Sequence, residues 1–356
     1  MSLKLMSRLR KLDGAINSDY DPLLNCLRTP SPSVNWAFGL KGFGLPFGYS
    51  MIMFGPPKGG KSIVCNSLVG QLHKDDPEAV AICFNTEMRG ELQASDKGLR
   101  LFGIDPERYQ CYDVNEPGLI FDRIEHDIAA LCQEGLKIKL VVIDSLKGIA
   151  GRRALNADSV NKQQIGDQAA TIQDGLMRIL PIIRKYKIAL VMTTHVRAEM
   201  DPGEVARGKT VKMAAAWATQ HMAELFCFVE PNRSKAGRTN LAGEEFLDAE
   251  TTDFMDKAQK TGHKIRFRVE GNSIGPAGRT AEFTLDYNKG IINQYEEVFT
   301  LALNSGIIEK PNNVTYKFGD TSWHGLKNIL AAIRDDHTVY NAILEAVYKK
   351  DSDKFS

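Results

Sequence analysis

The fold is decided by the stretch GPPKGGKS at residues 55–62. It satisfies the pattern G-x-x-x-x-G-K-[ST] at every fixed position, follows the apolar run YSMIMF (49–54) and precedes a helical pattern (61–73). Glycines allow several backbone N–H groups to point at one anion, and a helix that begins there adds its own unpaired N–H groups. The stretch predicts a phosphate-binding loop in preference to a lysine-rich turn.

We expect this loop to hold ATP together with Mg²⁺. Lys61 should reach the β- and γ-phosphates, and the Ser62 hydroxyl should bind the Mg²⁺. In the absence of ligand, the Lys61 side chain is expected to face solvent. The residues predicted to contact the nucleotide are Gly55, Pro56, Pro57, Lys58, Gly59, Gly60, Lys61, Ser62 and Ile63.

Composition places the chain among globular proteins. Of 356 residues, 43% are hydrophobic, which is enough for a substantial core, and the net charge of +1 means that any site for a polyanion must be a local basic patch. The six cysteines show no metal-binding spacing and suit a reducing compartment. No apolar run approaches the roughly 18 residues that cross a bilayer. We therefore expect a cytoplasmic protein with no membrane partner.

Short apolar runs alternate with amphipathic helical patterns over the first two thirds of the chain. Near-continuous apolar strands separated by helices predict an α/β fold with a mostly parallel sheet covered by helices on both faces. Two later patterns, KIRFRVEG and AEFTLDY, suit antiparallel strands added at the sheet edge. The predicted strands are 49–54, 79–84, 139–144, 188–194 and 224–229, and the predicted helices are 61–73, 90–102, 118–134 and 166–186.

The chain is expected to have three parts. Residues 1–33 form a short N-terminal helical segment, in which TPSPS (29–33) breaks any helix. Residues 34–292 form the core, which is interrupted at 232–262 by a solvated insert or a long hairpin. Residues 293–356 form a small C-terminal α(+β) domain.

Three polar side chains follow predicted strands. Asp144 ends KLVVID, Glu87 follows AVAICF, and His195 ends LVMTTH. Ligands of open α/β sheets bind at this carboxyl edge. Asp144 could complete the Mg²⁺ site, Glu87 could polarise the attacking water, and His195 could sense the γ-phosphate. Each also has an ordinary alternative, a helix cap for the carboxylates and a core or surface histidine for His195.

In this order, the motifs resemble those of the RecA-type recombinases, most closely the phage UvsX branch. The resemblance covers roughly residues 34–350. It rests on GPPKGGKS, TEMRG, FGIDPERY, LVVIDS, IGDQAATIQDGLMR, VMTTH and VFTLALNSGIIEK. It implies a RecA-like P-loop ATPase core.

The resemblance also implies roles for individual residues. Glu87 would be the catalytic base, acting with Lys61 and His195, and Asp144 would belong to the magnesium site. Two loops, at about 150–165 and 197–216, would bind single-stranded DNA. Cationic residues in those loops agree with contacts to a phosphate backbone, and two solvated loops are the alternative. The predicted DNA-binding residues are Arg152, Arg153, Asn156, Lys162, Arg197, Arg207, Lys209 and Lys212.

The chain departs from the family's pattern at the position of the cations that reach a neighbouring subunit's ATP. Here Gly271 and Ser273 occupy those places. Either Arg266, Arg268 or Arg279 substitutes for them, or hydrolysis across the interface is weak.

Two further departures concern the base and the second loop. Gly98 stands where the family usually has an aromatic residue that stacks on adenine. The stretch KMAAAW (212–217) replaces glycines, so the second loop is expected to be more helical.

The resemblance implies an ATP-dependent DNA recombinase and DNA-dependent ATPase. It would form helical homo-oligomers on single-stranded DNA, pair it with duplex DNA, and work with single-strand-binding and loader proteins. The N-terminal segment would dock on a neighbouring protomer. The alternatives are a hexameric RecA-fold helicase and a weakly hydrolysing paralogue that binds ATP and DNA.

Overall fold

The computed structural model describes residues 25–39, 43–88, 95–152, 166–206, 211–214, 217–232, 238–239 and 262–354. Most of the predicted N-terminal segment and most of the insert at 232–262 lie outside these residues. All structural statements below concern the described part of the chain.

A sheet of apolar strands forms the centre of the molecule. Its strands are β3 Ser50–Gly55, β4 Val80–Asn85, β5 Tyr109–Asp113, β6 Ile138–Asp144, β7 Ala189–Ala198, β8 Val211–Met213, β9 Leu225–Pro231, β10 Arg238–Thr239, β11 Gly262–Asn272, β12 Thr280–Asp286 and β13 Gly290–Ile292. They lie in the order β13-β12-β11-β9-β3-β7-β6-β4-β5, with β10 beside β11 and β8 beside β7.

The pairing directions explain the composition of these strands. The pairs β9–β3, β3–β7, β7–β6, β6–β4 and β4–β5 are parallel, whereas β9–β11, β11–β12 and β12–β13 are antiparallel. All six residues of β3 are buried, as expected for a parallel strand covered on both faces. The predicted mostly parallel sheet with antiparallel edge strands is confirmed.

Helices cover the two faces of the sheet. The helices are α1 Pro32–Phe38, α2 Lys61–Asp75, α3 Asp96–Leu101, α4 (π-helical Gly118–Ile128 continuing as α-helical Ala129–Gln133), α5 Asp167–Tyr186, α6 Pro202–Ala206, α7 Trp217–Gln220, α8 Gln294–Asn304, α9 Leu326–Asp335 and α10 His337–Ser352. Met51 and Met53 of β3 belong to the apolar layer that contains α2. Ile52 and Phe54 belong to the layer on the other face, which contains α4 and α5.

The C-terminal helices α8, α9 and α10 pack around an apolar cluster of their own, with the hairpin β14 Thr315–Phe318 and β15 Thr321–His324 beside them. A bidentate ion pair joins this unit to the sheet: Arg279 donates to Asp351 at 2.6 and 3.1 Å. Glu297 of α8 accepts hydrogen bonds from Ser31 and Ser33 at the start of α1. No described helix combines the length and apolar character needed to cross a membrane.

The structure differs from the sequence-based expectations in several elements. A helix begins inside TPSPS, because Ser31 caps it and Pro32 suits its first position. The segment 118–128 is helical as predicted, but with π-type hydrogen bonding. Strand β5 and the small sheet of β1 Cys26–Leu27 and β2 Leu45–Pro46 were not predicted.

Candidate functional site: a phosphate loop at the carboxyl edge of the sheet

The loop between β3 and α2 has a backbone that only glycine can form at two positions. A Cβ atom on Gly55 would lie 1.9 Å from the carbonyl oxygen of Val229. Gly60 has a φ of +90°, and a Cβ there would lie 2.6 Å from the Leu285 side chain. The loop is therefore held against β9 and β12, with the first turn of α2 directly behind it.

Lys61 is 6% exposed, so the expectation that its side chain faces solvent is wrong. Its Nζ donates to the carbonyl oxygens of Gly55 at 3.1 Å and Pro56 at 2.9 Å. Burial lowers the pKa of the ammonium, while the charges of Asp144 and Glu87 oppose that shift. The Lys61 ammonium is thus hydrogen-bonded to two carbonyl oxygens of the loop itself.

Glu87 and His195 lie side by side. The distance from His195 Nε2 to Glu87 Oε1 is 2.7 Å, and the Ser145 hydroxyl donates to the same Oε1 at 2.8 Å. Glu87 follows β4, His195 lies in β7 and Ser145 follows β6. They lie together because the carboxyl ends of parallel strands meet at one edge of a sheet. A carboxylate held in this way can accept a proton from a water molecule and is linked directly to β7.

Asp144 and Ser62 are the residues expected to bind Mg²⁺, and both lie at the phosphate loop. The Thr193 hydroxyl donates to Asp144 Oδ1, and Asp144 is the register partner of Asn85 on β4. Within the described residues, no group of three or more His, Cys, Asp or Glu side chains is arranged to hold a metal ion. Mg²⁺ is commonly held by one or two protein oxygens together with substrate phosphates, so these two residues fit that ion.

One cavity of about 680 Å³ unites these side chains. Of the nine predicted nucleotide contacts, Pro57 to Ile63 line it directly, together with Glu87, Asp144 and His195. Gly55 and Pro56 do not line it, and their carbonyl oxygens accept hydrogen bonds from Lys61. The further lining residues are Asn66, Cys83, Asn85, Leu99, Tyr109, Cys111 and Tyr287.

Tyr109 and Tyr287 are candidate nucleotide contacts that the sequence analysis missed. Gly98 does not line the cavity, but the neighbouring Leu99 does. Both tyrosines come from strands that reach the cavity only through the tertiary fold, Tyr109 at the start of β5 and Tyr287 just after β12. Aromatic and aliphatic side chains of this kind suit a nucleobase.

A second cavity, of about 730 Å³, lies between the outer strands and the C-terminal helices. It is lined by residues of β11, β12, α8 and α10, including Arg266, Glu282 and Lys350. It contains no glycine-rich loop and mixes charges of both signs, so we do not assign it to the nucleotide.

Three of the eight predicted DNA-binding residues lie in the described part of the chain. Arg152 lies eight positions after Asp144, and Arg197 lies two after His195, so both leave the same edge of the sheet. Arg152 is about half exposed and lies 4.0 Å from Asp174. Arg153, Asn156, Lys162, Arg207 and Lys209 lie outside the described residues.

Lys212 is held at the base of the second loop. Strands β7 and β8 pair antiparallel there, with Arg197 opposite Lys212. Lys212 Nζ lies 2.6 Å from Glu199, and this contact holds the pKa of Glu199 at about 2. The expected helix is not found at the start of KMAAAW (212–217), because Lys212 and Met213 lie in strand β8. Residues 215–216 lie outside the described residues, and Trp217 begins α7.

The three arginines that could replace the family's interface cations differ in how exposed they are and in whether they are bound within the chain. Arg279 is 15% exposed and is bound to Asp351, so it is committed to the C-terminal unit. Arg266 and Arg268 are nearly half exposed and pair with Glu282 and Glu270. A Cβ on Gly271 would lie 2.6 Å from the Phe226 ring, which explains why no side chain is accommodated there.

The sheet order, the flanking helices and the loop at the carboxyl edge define a RecA-like P-loop ATPase fold. The chain is similar over most of its length to curated proteins named Protein RecA. It is 24% identical over 328 residues to that of Mycoplasmopsis pulmonis, covering 92% of this chain and 85% of the relative. It is 21% identical over 326 residues to that of Oleidesulfovibrio alaskensis, covering 91% and 82%.

A third relative, Protein RecA of Wolbachia sp. subsp. Drosophila simulans, is 22% identical over 326 residues, covering 90% of this chain and 80% of the relative. No protein-family model matches the chain. Similarity that extends over about nine tenths of the chain supports a protein of RecA type.

Proposed function

We propose that this chain is an ATP-dependent DNA recombinase of the UvsX-like branch, which forms filaments on single-stranded DNA and hydrolyses ATP to ADP and phosphate. The observation that carries the proposal is the direct contact of Glu87 with His195 beside the phosphate loop. It links the residue that would activate water to the strand from which the second DNA loop departs. Similarity to RecA proteins over about nine tenths of the chain supports it.

In this mechanism Lys61 exchanges its two backbone carbonyl acceptors for phosphate oxygens when ATP enters. The loop N–H groups and the first turn of α2 stabilise the developing charge. Glu87 accepts the proton of the attacking water, and Ser145 and His195 fix the orientation of its carboxylate. Ser62 and Asp144 would hold Mg²⁺, which would neutralise phosphate charge.

His195 provides the proposed link to DNA. It lies two residues before Arg197 in the same strand, so a shift of the imidazole away from Glu87 is transmitted to the base of the second loop. Arg152, Arg197 and the other predicted loop cations would contact the phosphate backbone without reading bases. Bound ATP would order the loops and hydrolysis would release them.

We further propose that the chain divides into three parts at 33/34 and 292/293, and that the N-terminal segment docks on a neighbouring protomer. We also propose that the protein is encoded by a phage and acts in the cytoplasm. Duplex DNA, other copies of this chain, single-strand-binding proteins and loader proteins would be its partners. A weakly hydrolysing paralogue is the second candidate, because Arg279 is committed to Asp351 and Gly271 has no space for a side chain.

ATPase assays and electron microscopy, with and without single-stranded DNA, test the proposal. We expect helical filaments and DNA-stimulated hydrolysis. Lys61→Ala should abolish turnover, whereas Lys74→Ala should not, since Lys74 is an exposed lysine 13 residues along the same helix, about 20 Å away. Rings would favour the helicase, filaments without turnover would favour the paralogue, and unchanged turnover in Lys61→Ala would contradict the assigned site.

A further inference from the structure

Two free cysteines face each other in the wall of the nucleotide cavity. Cys83 of β4 and Cys111 of β5 are register partners in neighbouring parallel strands. Both side chains line the cavity that also contains the phosphate loop. Neighbouring strands lie about 4.8 Å apart, which falls within the Cα separation that a disulfide spans, about 4.4–6.8 Å. The backbone therefore permits a bond between the two sulfurs.

The two thiols are chemically unequal. Cys83 is 9% exposed, and Cys111 is more exposed. The neighbouring Cys83 thiol lowers the pKa of Cys111, and the Tyr109 hydroxyl adds to this effect. The neighbouring Cys111 thiol, followed by burial, raises the pKa of Cys83. Cys111 is therefore the thiol that an oxidant reaches first, because it is the more exposed of the two, and Cys83 is the second thiol.

We propose that Cys83 and Cys111 form an oxidisable dithiol, which a peroxide converts to a disulfide inside the nucleotide cavity. In the first step the Cys111 thiolate attacks a peroxide oxygen, so that an S–O bond forms while the O–O bond breaks and hydroxide leaves. In the second step the Cys83 sulfur attacks the sulfenic sulfur. An S–S bond forms, the S–O bond breaks, and the hydroxyl leaves as water with the thiol proton. The peroxide is the two-electron oxidant, and both thiols are oxidised.

Nucleotide and peroxide should exclude each other, because both thiols lie in the wall of the same cavity. This part of the inference rests on the proposed nucleotide site. Saturating ATP should slow disulfide formation, because the bound nucleotide covers both thiols. The oxidised protein should bind nucleotide about tenfold more weakly, which lies within the usual range of coupling between two sites. Dithiothreitol should restore binding by reducing the disulfide.

The test treats the reduced full-length chain with hydrogen peroxide and measures its intact mass, its free thiols and its affinity for a fluorescent ATP analogue. We expect loss of two hydrogens and two thiols, and a cross-linked peptide containing both cysteines. Cys111→Ser and Cys83→Ser should not form the bond. Cys132→Ser is the matched control, because Cys132 lines a different cavity, with Lys137 and Tyr186, and this variant should behave as the wild type.

Absence of the Cys83–Cys111 peptide in the oxidised wild type would overturn the proposal, and this result does not depend on any variant folding. Equal oxidation rates with and without ATP would overturn the claim that the dithiol belongs to the nucleotide cavity. If the reduced protein bound no nucleotide but still formed the disulfide, the proposed function would fail and the dithiol would stand.

Discussion

The carboxyl of Glu297 should make the stability of the protein depend on pH. It is 6% exposed and accepts hydrogen bonds at Oε2 from the Ser31 hydroxyl, the Ser33 hydroxyl and the Ser33 N–H. Its Oε1 has no hydrogen-bond partner among the described residues. Burial raises the pKa of Glu297 from 4.5 to about 8, against the lowering effect of the two serines.

The sign of the effect follows from proton binding. Between pH 4.5 and 8 the folded protein keeps the Glu297 proton and the unfolded chain has lost it, so the free energy of unfolding falls as pH rises. Each pKa unit corresponds to 1.36 kcal/mol. The full shift amounts to about 5 kcal/mol, of which about 4 kcal/mol should be lost between pH 5 and pH 8.

Glu297→Gln tests this reasoning, because an amide resembles the protonated carboxyl and does not titrate. We expect the variant and the wild type to have similar unfolding free energies at pH 5, and the variant to be more stable by about 4 kcal/mol at pH 8. Urea denaturation followed by circular dichroism across this range measures the difference. Glu296→Gln, one residue earlier in α8, is the control. A difference between Glu297→Gln and wild type that does not change from pH 5 to pH 8 would refute the argument.

Three further changes have defined outcomes. Asp351→Ala should destabilise the protein by about 3 kcal/mol in denaturant titrations, because it leaves the largely buried Arg279 guanidinium without its carboxylate. An unchanged unfolding midpoint would show that this ion pair does not stabilise the packing of the C-terminal unit on the sheet. Gly55→Ala should lower the unfolding free energy by about 2 kcal/mol and abolish nucleotide binding, because the added Cβ would lie 1.9 Å from the Val229 carbonyl oxygen. Normal nucleotide binding by this variant would show that the loop does not pack against Val229 in this way. Glu199→Gln should release Lys212 toward DNA and steepen the salt dependence of single-strand binding by about 0.7 in log–log slope, and an unaltered slope would exclude Lys212 from the DNA surface.

The parts of the fold that could be predicted from the sequence are those in which local pattern and tertiary environment agree. Strands β3 and β6 are almost wholly buried and apolar, so their sequences are near-continuous hydrophobic runs. Strand β5 lies at the sheet edge and is only partly buried, and its sequence YQCYD carries no such signal. Edge strands that are half exposed are therefore the elements that apolar patterning misses.

The residues of the candidate site also fall into those that could be predicted from the sequence and those that could not. Glu87, Asp144 and His195 could be predicted because each follows or ends an apolar strand at the edge where ligands bind. The contacts of Lys61 with Gly55 and Pro56 could not be predicted, since they depend on how the loop closes on itself.

Long-range contacts carry even less local signal. Arg279 and Asp351 are 72 residues apart in sequence, and their pairing depends on how the C-terminal helices dock on the sheet. The adjacency of Cys83 and Cys111 depends on strand register, which neither cysteine's neighbours reveal.

The occupant of the phosphate loop should set the affinity of the predicted DNA-binding loops, through Glu87 and His195 at one edge of the sheet. The affinity for a fluorescent single-stranded oligonucleotide tests this coupling when it is measured by anisotropy at constant salt with a non-hydrolysable ATP analogue, with ADP and without nucleotide. We expect binding about tenfold tighter with the ATP analogue than with ADP, and loss of that difference in His195→Ala. Equal affinities in all three states of the wild-type protein would show that the nucleotide site and the predicted DNA-binding loops are not coupled.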